Sequence, residues 1–156
     1  MIRSALRKFS PFKSFLALFL LNLPSGVHAQ DEEIAIFNSK GKAIAFLEVS
    51  EEQTLYMWSG KPVAYLYKEG GETHIYGFNG KHLGWYEEGI LYTHDGDAVG
   101  FIEGAMSLFT EFEPIKGFKR FKPSRSFREF PPFKPFFSKY FSKTPLSLFL
   151  LEGAEE

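Results

Sequence analysis

The chain contains no cysteine. That absence excludes disulfide staples, thiolate metal sites, a cysteine nucleophile and the lipid-modified cysteine of a bacterial lipoprotein. The folded part must therefore hold together by packing alone. Long apolar runs are missing too: residues 15–23, broken by Asn22, form a run about half the roughly 20 residues that a bilayer span requires. There is no phosphate-binding glycine loop, no Gly-x-Ser-x-Gly elbow and no His-x-His or His-x-x-x-His pair. Acid is unevenly spread: residues 1–30 have none. Residues 114–143 hold nine basic side chains and a single acid, Glu129, whereas residues 31–113 hold 15 acidic and 5 basic ones. The formal net charge of −1 thus conceals an acidic body followed by a basic tail. Such a split points either to self-association of the two or to an anionic partner for the tail.

What is present begins with a leader. Arg3, Arg7, Lys8 and Lys13 precede or open the apolar run, and Pro24-Ser-Gly leads into Val27-His28-Ala29, a small-residue cleavage site. We read residues 1–29 as a signal peptide cleaved after Ala29, which makes the protein exported, to the periplasm or beyond. Once the leader is gone the chain is not an integral membrane protein. Residues 30–104 then form a repeat domain, 105–143 a tail, and 144–156 a terminal docking segment.

The repeat domain states one pattern four times, in 34–46, 55–65, 75–85 and 91–101. Each copy runs aliphatic, aromatic or His, polar-Gly turn, aliphatic, Ala or Gly, aromatic, and such self-similarity signals a symmetric repeat fold. Asn79-Gly80 and Asp95-Gly96 predict two-residue type I′ hairpin turns, Ser59-Gly60 a weaker one, and Asn38-Ser-Lys-Gly41 a longer loop. That register pairs Phe78 with Lys81, Tyr76 with Leu83 and Ile75 with Gly84. Because side chains alternate along a strand, it places Tyr76, Phe78, Leu83 and Trp85 on one face and Ile75, Gly77, His82 and Gly84 on the other. Ala45, Ala64, Gly84 and Gly100 recur at one position, so close approach is expected there, around an axis ringed by Ile34, Leu55, Ile75 and Leu91. The acid-rich connectors, 47–54, 66–74 and 87–89, belong on a solvated rim. The fold class expected is all-β: four consecutive hairpins in a pseudo-four-fold array, followed by a long extended tail.

The copies at 55–65 and 75–85, together with Asp95-Gly-Asp-Ala-Val-Gly100, resemble the four-fold beta-flower proteins of bacteria. The Lys-Pro-Phe-rich tail and the terminal Thr144-Pro-Leu-Ser-Leu-Phe-Leu150 are similar to that family as well. The resemblance covers residues 34–150 and implies a hairpin rosette; it brings no established activity and no catalytic residues.

After Gly104 the period changes to three. Phe109, Phe112, Ile115, Phe118, Phe121, Ser124, Phe127, Phe130, Phe133 and Phe136 form one line, Lys116, Lys119, Lys122, Arg125, Arg128 and Lys134 a second, and Pro114, Gly117, Pro123, Ser126, Pro132 and Pro135 a third. Three residues per turn is the polyproline II period, which turns these lines into an apolar, a basic and a small or Pro face. An exposed Phe ridge of this length is an aggregation hazard. The expectation is therefore a tail wrapped on the rosette, Phe ridge inward, cations near the acidic rim. Thirty extended residues span about 90 Å, so the tail must bend, near Gly117 and Ser124.

Candidate chemistry is sparse. The expected register sets His82 on the opposite face from His74 and His94, which argues against a metal site. Asp95, Asp97 and Glu103 faintly suggest a calcium loop, but Met106 stands where the twelfth-position Glu belongs. Glu51, Glu52, Glu87 and Glu88 supply carboxylates without an apolar setting, so a hydrolase is a residual reading only. No catalytic residue, metal or cofactor is assigned. The aromatic face (Tyr56, Trp58, Tyr65, Tyr76, Phe78, Trp85 and Tyr92) is a candidate binding surface, because such rings stack on sugars and cage cations. Cell-wall choline-binding repeats are similar in composition, though only Gly84-Trp85-Tyr86 hints at their signature. The expectation is an exported, non-enzymatic structural or protein-interaction module with a protein or cell-envelope partner and no nucleic acid. The alternative is an aromatic-surface binder of a glycan or cationic headgroup.

Overall fold

The structure, a computed structural model, describes residues 32–154. The expected leader, with cleavage expected after Ala29, lies outside the described residues. Eight strands follow one another in an antiparallel meander: β1 (Glu32–Phe37), β2 (Ala43–Val49), β3 (Thr54–Met57), β4 (Pro62–Glu69), β5 (Glu72–Gly77), β6 (His82–Glu87), β7 (Ile90–Tyr92) and β8 (Asp97–Ile102). β1 pairs with β8 through Ile36–Ile102 and Phe37–Phe101, which closes the sheet into a barrel of four hairpins. Closure removes the free edges that an open sheet exposes. After a stretch without helix or strand, β9 (Ser138–Phe141) runs parallel to β8, and α1 (Leu146–Leu151) ends the described chain.

All four turns are alike, and none is a two-residue type I′ turn. The N–H of Gly41, Gly60, Gly80 and Gly96 donates to the carbonyl of Asn38, Met57, Gly77 and Thr93 respectively, three residues back. Each of those four residues in turn donates its N–H to the residue after the glycine. The four glycines have φ between 75° and 89°, whereas Asn79 and Asp95 are not among the positive-φ residues. This is a type I turn closed by a glycine bulge. The Asn-Gly and Asp-Gly pairs fill its last two positions, not the two centres of a mirror-image turn.

The bulge corrects the expected register. Ile75 still faces Gly84, but Tyr76 pairs with His82, and the ladder shifts between Ile75 and Tyr76. Equal turns also realign the first copy: Ile36, not Ile34, pairs with Ala45 as Leu55 pairs with Ala64 and Leu91 with Gly100. Ile36, Leu55, Ile75 and Leu91 are all buried in the barrel interior with Ala45, Ala64, Val63, Leu83 and Val99.

The small ring positions make room for α1. A Cβ on Gly84 would press on the Tyr92 carbonyl and the Phe149 ring, and one on Gly100 would meet Leu146 at 2.9 Å. Leu146, Phe149 and Leu150 enter the interior cluster and plug the barrel. Asn79 fastens the end of the helix, its Nδ2 donating to the Glu152 carbonyl at 2.7 Å. Burying three large apolar side chains contributes on the order of 5–8 kcal/mol before entropy is counted. At the opposite end Glu51, Glu52, Glu69, Glu87 and Glu88 are exposed on the connectors.

Candidate functional site

Residues 108–137 form neither helix nor strand and run around the barrel as a belt. The belt visits the turns in order, one every nine residues. The N–H groups of Glu111, Arg120, Glu129 and Ser138 donate to the carbonyls of Gly41, Gly60, Gly80 and Gly96 at 2.8–2.9 Å. Three residues before the second and third of these, Gly117 and Ser126 N–H donate to Trp58 and Phe78 carbonyls, both at 2.9 Å. Each turn glycine therefore has two duties. It supplies the positive φ, and it leaves empty the space where a Cβ would strike the carbonyl of Phe109, Phe118, Phe127 or Phe136.

The three lines of the tail take three directions. The basic line faces the barrel. Lys116 and Lys119 pair with Glu33, Lys119 and Lys122 with Glu48, Lys122 with Glu52, and Lys134 with Glu87. The same cations cover aromatic rings: the guanidinium carbons of Arg125 and Arg128 lie 3.8 Å from the ring centres of Tyr65 and Tyr67. The small and Pro line meets the turns, with Gly117 against the Ser59 backbone and Pro135 beside Gly96. The apolar line is left pointing away from the barrel. Phe112, Phe121, Phe127, Phe133 and Phe136 are as exposed as in a free chain, at 100–101%.

The expectation of an inward Phe ridge is therefore wrong, and the reason is chemical complementarity. The outer wall of the barrel offers π-faces and carboxylates, which cations satisfy better than phenyl rings do. Only Phe137 and Phe141, off the three-residue line, pack inward; Phe137 stacks on Tyr92 at 4.0 Å between ring centres.

Among the acids, burial alone would raise the Glu48 carboxyl, but hydrogen bonds and charge from Lys119 and Lys122 outweigh it and hold it below the usual carboxylate range. Glu33 is lowered in the same way by Lys116 and Lys119, against the same burial effect. Glu52 is lowered chiefly by its hydrogen bond to Lys122. Burial works against the Lys122 ammonium, yet Glu52 and Glu48 push its pKa upward.

All seven residues of the candidate aromatic surface meet the belt. Tyr56 lies under Lys119, and Trp58 Nε1 donates to the Pro114 carbonyl at 3.2 Å. Tyr65 stacks under Arg125, Tyr76 OH donates to the Glu129 carbonyl at 2.9 Å, and the Phe78 carbonyl takes Ser126 N–H. Trp85 and Tyr92 pack on Phe137. Six of the seven are buried and Trp58 is partly so, so this face is covered by the protein's own tail rather than open to a ligand.

The histidines are placed otherwise than expected. The bulge at Tyr76 carries His82 to the outer face, where the three rings form a row. His74 Nδ1 lies 3.0 Å from His82 Nε2, and His82 Nδ1 lies 2.9 Å from His94 Nε2. His82 presents a different nitrogen to each neighbour, so one ion cannot take all three. Among the described residues no group of His, Cys, Asp or Glu has metal-holding geometry, the Asp95, Asp97 and Glu103 set included. Burial, then the neighbouring His94 and His74, push the His82 pKa down to about 3. Its backbone N–H is tied to the belt through Glu129 Oε2 at 3.1 Å. The row satisfies buried ring nitrogens and leads to exposed His94.

A cleft of about 380 Å³ opens at the connector end beside Leu47, Leu66, Tyr86 and the Glu87–Lys134 pair. Among the described residues no helix is long and apolar enough to cross a membrane.

The closed ring of four equal petals with its belt agrees with a family comparison. The profile of the 4-fold beta flower proteins matches residues 34–150. The chain belongs to that family. The match extends across the belt and nearly to the end of α1, so the beta-flower unit comprises barrel, belt and plug together. No curated protein and no solved structure matches the chain.

The nine-residue repeat of the belt, visible as Phe at 109, 118, 127 and 136, is the signal that a three-residue reading passes over. Nine belt residues lead from one petal's turn to the next, which seats each Phe carbonyl on a turn glycine.

Proposed function

We propose that this beta-flower protein is an exported, non-enzymatic interaction module of the cell envelope, and that its working surface is the outward Phe line of the belt. One observation carries the reading: nine large apolar side chains between Phe109 and Phe136 stand 87–101% exposed on a backbone hydrogen-bonded to the barrel. The usual largest apolar patch on a monomer is about 300–600 Å², and larger ones mark contact sites. The export assignment rests on the leader, with its basic stretch, apolar run and Val27-His28-Ala29 site.

The chemistry of the carboxylates supports a non-enzymatic role. Glu52 is held below the usual carboxylate range by its hydrogen bond to Lys122, which suits an ion pair rather than a proton donor, and Glu87 is taken up by Lys134. The glycan or cationic-headgroup reading finds no favouring observation, because the rings it needs already hold the tail's own cations.

The test is cell fractionation of the protein and of a triple variant, Phe112→Ser, Phe121→Ser and Phe130→Ser. The reading predicts that the parent protein is recovered with the envelope and that the variant is released to the soluble exported fraction. Identical distribution of the two, or recovery of an uncleaved chain from the cytoplasm, contradicts it.

A further inference from the structure

We propose a second site, apart from the Phe line: a pocket beside the entry of the plug that takes a phosphate monoester group, carried by a soluble ester or by a lipid. The pocket, about 260 Å³, lies between the first turn, residues 38–40, and residues 142–147, which lead from β9 into α1. Lys40 comes from one segment and Lys143 from the other, Ser39, Thr144 and Ser147 add hydroxyls, and no Asp or Glu lines the pocket.

These donors are unspent. The belt cations Lys116, Lys119, Lys122 and Lys134 are paired with carboxylates, whereas among the described residues Lys40 and Lys143 have no partner. Asn38 Oδ1 accepts the N–H of Lys40 and of Lys42, both at 3.0 Å. Its oxygen is thereby occupied, and its Nδ2 group is left to donate into a pocket that it also lines. The belt acids that pass the first turn, Glu111 and Glu113, line a separate hollow with Glu103. Two ammonium groups among neutral donors call for an anion with more than one charge and several acceptor oxygens. A phosphate monoester has both, at about −1.5 to −2 charges and three strong acceptors.

The four-fold repeat supplies an internal comparison. At the two central positions the sister turns carry Trp58 and Ser59, Phe78 and Asn79, and His94 and Asp95, whereas the first carries Ser39 and Lys40. Trp58 Nε1 and the Phe78 carbonyl bond the belt, His94 ends the histidine row, and Asn79 fastens the far end of α1. The Ser39 and Lys40 side chains hold nothing among the described residues. Three turns of the same geometry close without this pair, so the fold does not require it. It stands where the near end of α1 enters the barrel, beside the equally unpaired Lys143.

Calorimetric titration of the purified protein with sn-glycerol 3-phosphate tests the site, together with flotation on phosphatidylcholine vesicles with and without phosphatidic acid. Two double variants remove equal charge: Lys40→Gln with Lys143→Gln at the pocket, and Lys61→Gln with Lys81→Gln beside the second and third turns. Lys40 and Lys143 are exposed, so their replacement should leave the near-ultraviolet circular dichroism spectrum unchanged. The expected result is binding of one phosphate group per chain, weakened roughly 10- to 100-fold by the pocket variant and little changed by the other. Titration without flotation assigns the site to a soluble phosphate ester. Flotation that needs phosphatidic acid, Lys40 and Lys143 assigns it to a lipid headgroup, and either result supports the site. No heat of binding up to on the order of 10 mM, with no flotation that depends on phosphatidic acid, overturns it. Equal losses in the two double variants also overturn it, because they would reduce the effect to diffuse charge.

Discussion

Barrel and belt are both rich in apolar residues, yet they bury them in opposite senses. In the barrel Ile36, Leu55, Ile75 and Leu91 turn inward and close on Phe149 and Leu150, with cooperative ladder bonding on every side. In the belt the corresponding apolar line turns out to water, and the chain is held by backbone bonds to turn carbonyls and by cations laid across rings and carboxylates. The barrel is a core that needs no partner. The belt is a surface fixed to a core, and, Phe137 apart, its outward apolar line does nothing for the fold that carries it. Apolar composition alone therefore does not identify a buried segment; what the neighbouring wall offers decides which line faces it.

That contrast can be broken at several points. The largest effect is expected at the plug. Leu150→Ala should cost about 2–5 kcal/mol in urea unfolding, because a fully buried side chain leaves a cavity. Next comes a turn glycine. Gly80→Ala combines an unfavourable positive φ with a clash against the Phe127 carbonyl and should cost about 3 kcal/mol or more. Gly70→Ala, also at positive φ but with nothing nearby, should cost only about 1–2 kcal/mol. Equal losses at Gly80 and Gly70 would mean that the belt does not sit on its turn.

Glu48→Gln leaves Lys119 and Lys122 each with one remaining carboxylate, Glu33 and Glu52. The loss should fall below the 3–5 kcal/mol of a fully stranded buried charge, at roughly 2 kcal/mol, measured by the same unfolding curve.

Acid sharpens the comparison further. A His whose folded pKa is about 3 binds its proton only on unfolding, so stability should decline as pH falls below the ordinary 6.5 toward 3. Glu33, Glu48 and Glu52, lowered from 4.5, add a second decline beginning near that value as their protonation releases the lysines. Thermal melts across pH should show both limbs, and His82→Gln should lack the first. The smallest effect belongs to the Phe line: Phe121→Ser should shift stability by no more than about 0.5 kcal/mol, as for any fully exposed site.

Much of the architecture is legible in the sequence, and each miss has its own physical cause. Four petals, their turn glycines, the small ring positions and the sorting of the tail into three lines all follow from side-chain type at fixed spacing. The bulge does not, because Asn79-Gly80 suits either a mirror-image turn or the last two positions of a type I turn. That one-residue difference moves His82 outward to join His74 and His94, and Leu83 inward to the core. The facing of the belt was also hidden, because ridge and barrel wall had to be compared together. Cations match Tyr65, Tyr67 and Glu48, and once they face inward the three-fold backbone turns Phe112 and Phe121 away. The role of α1 as a plug could not be read from a terminal apolar segment that fits a strand or a helix equally well.

Amide hydrogen exchange of the belt, resolved residue by residue, tests the central claim most directly. The belt account predicts slow exchange at Glu111, Gly117, Arg120, Ser126, Glu129 and Ser138, the amides that donate to turn carbonyls, with fast exchange at exposed positions between them such as Phe112, Phe121 and Phe130. Uniformly fast exchange from Phe109 to Phe136 would contradict it, since a tail free of the barrel has no reason to protect amides at the interval of its petals.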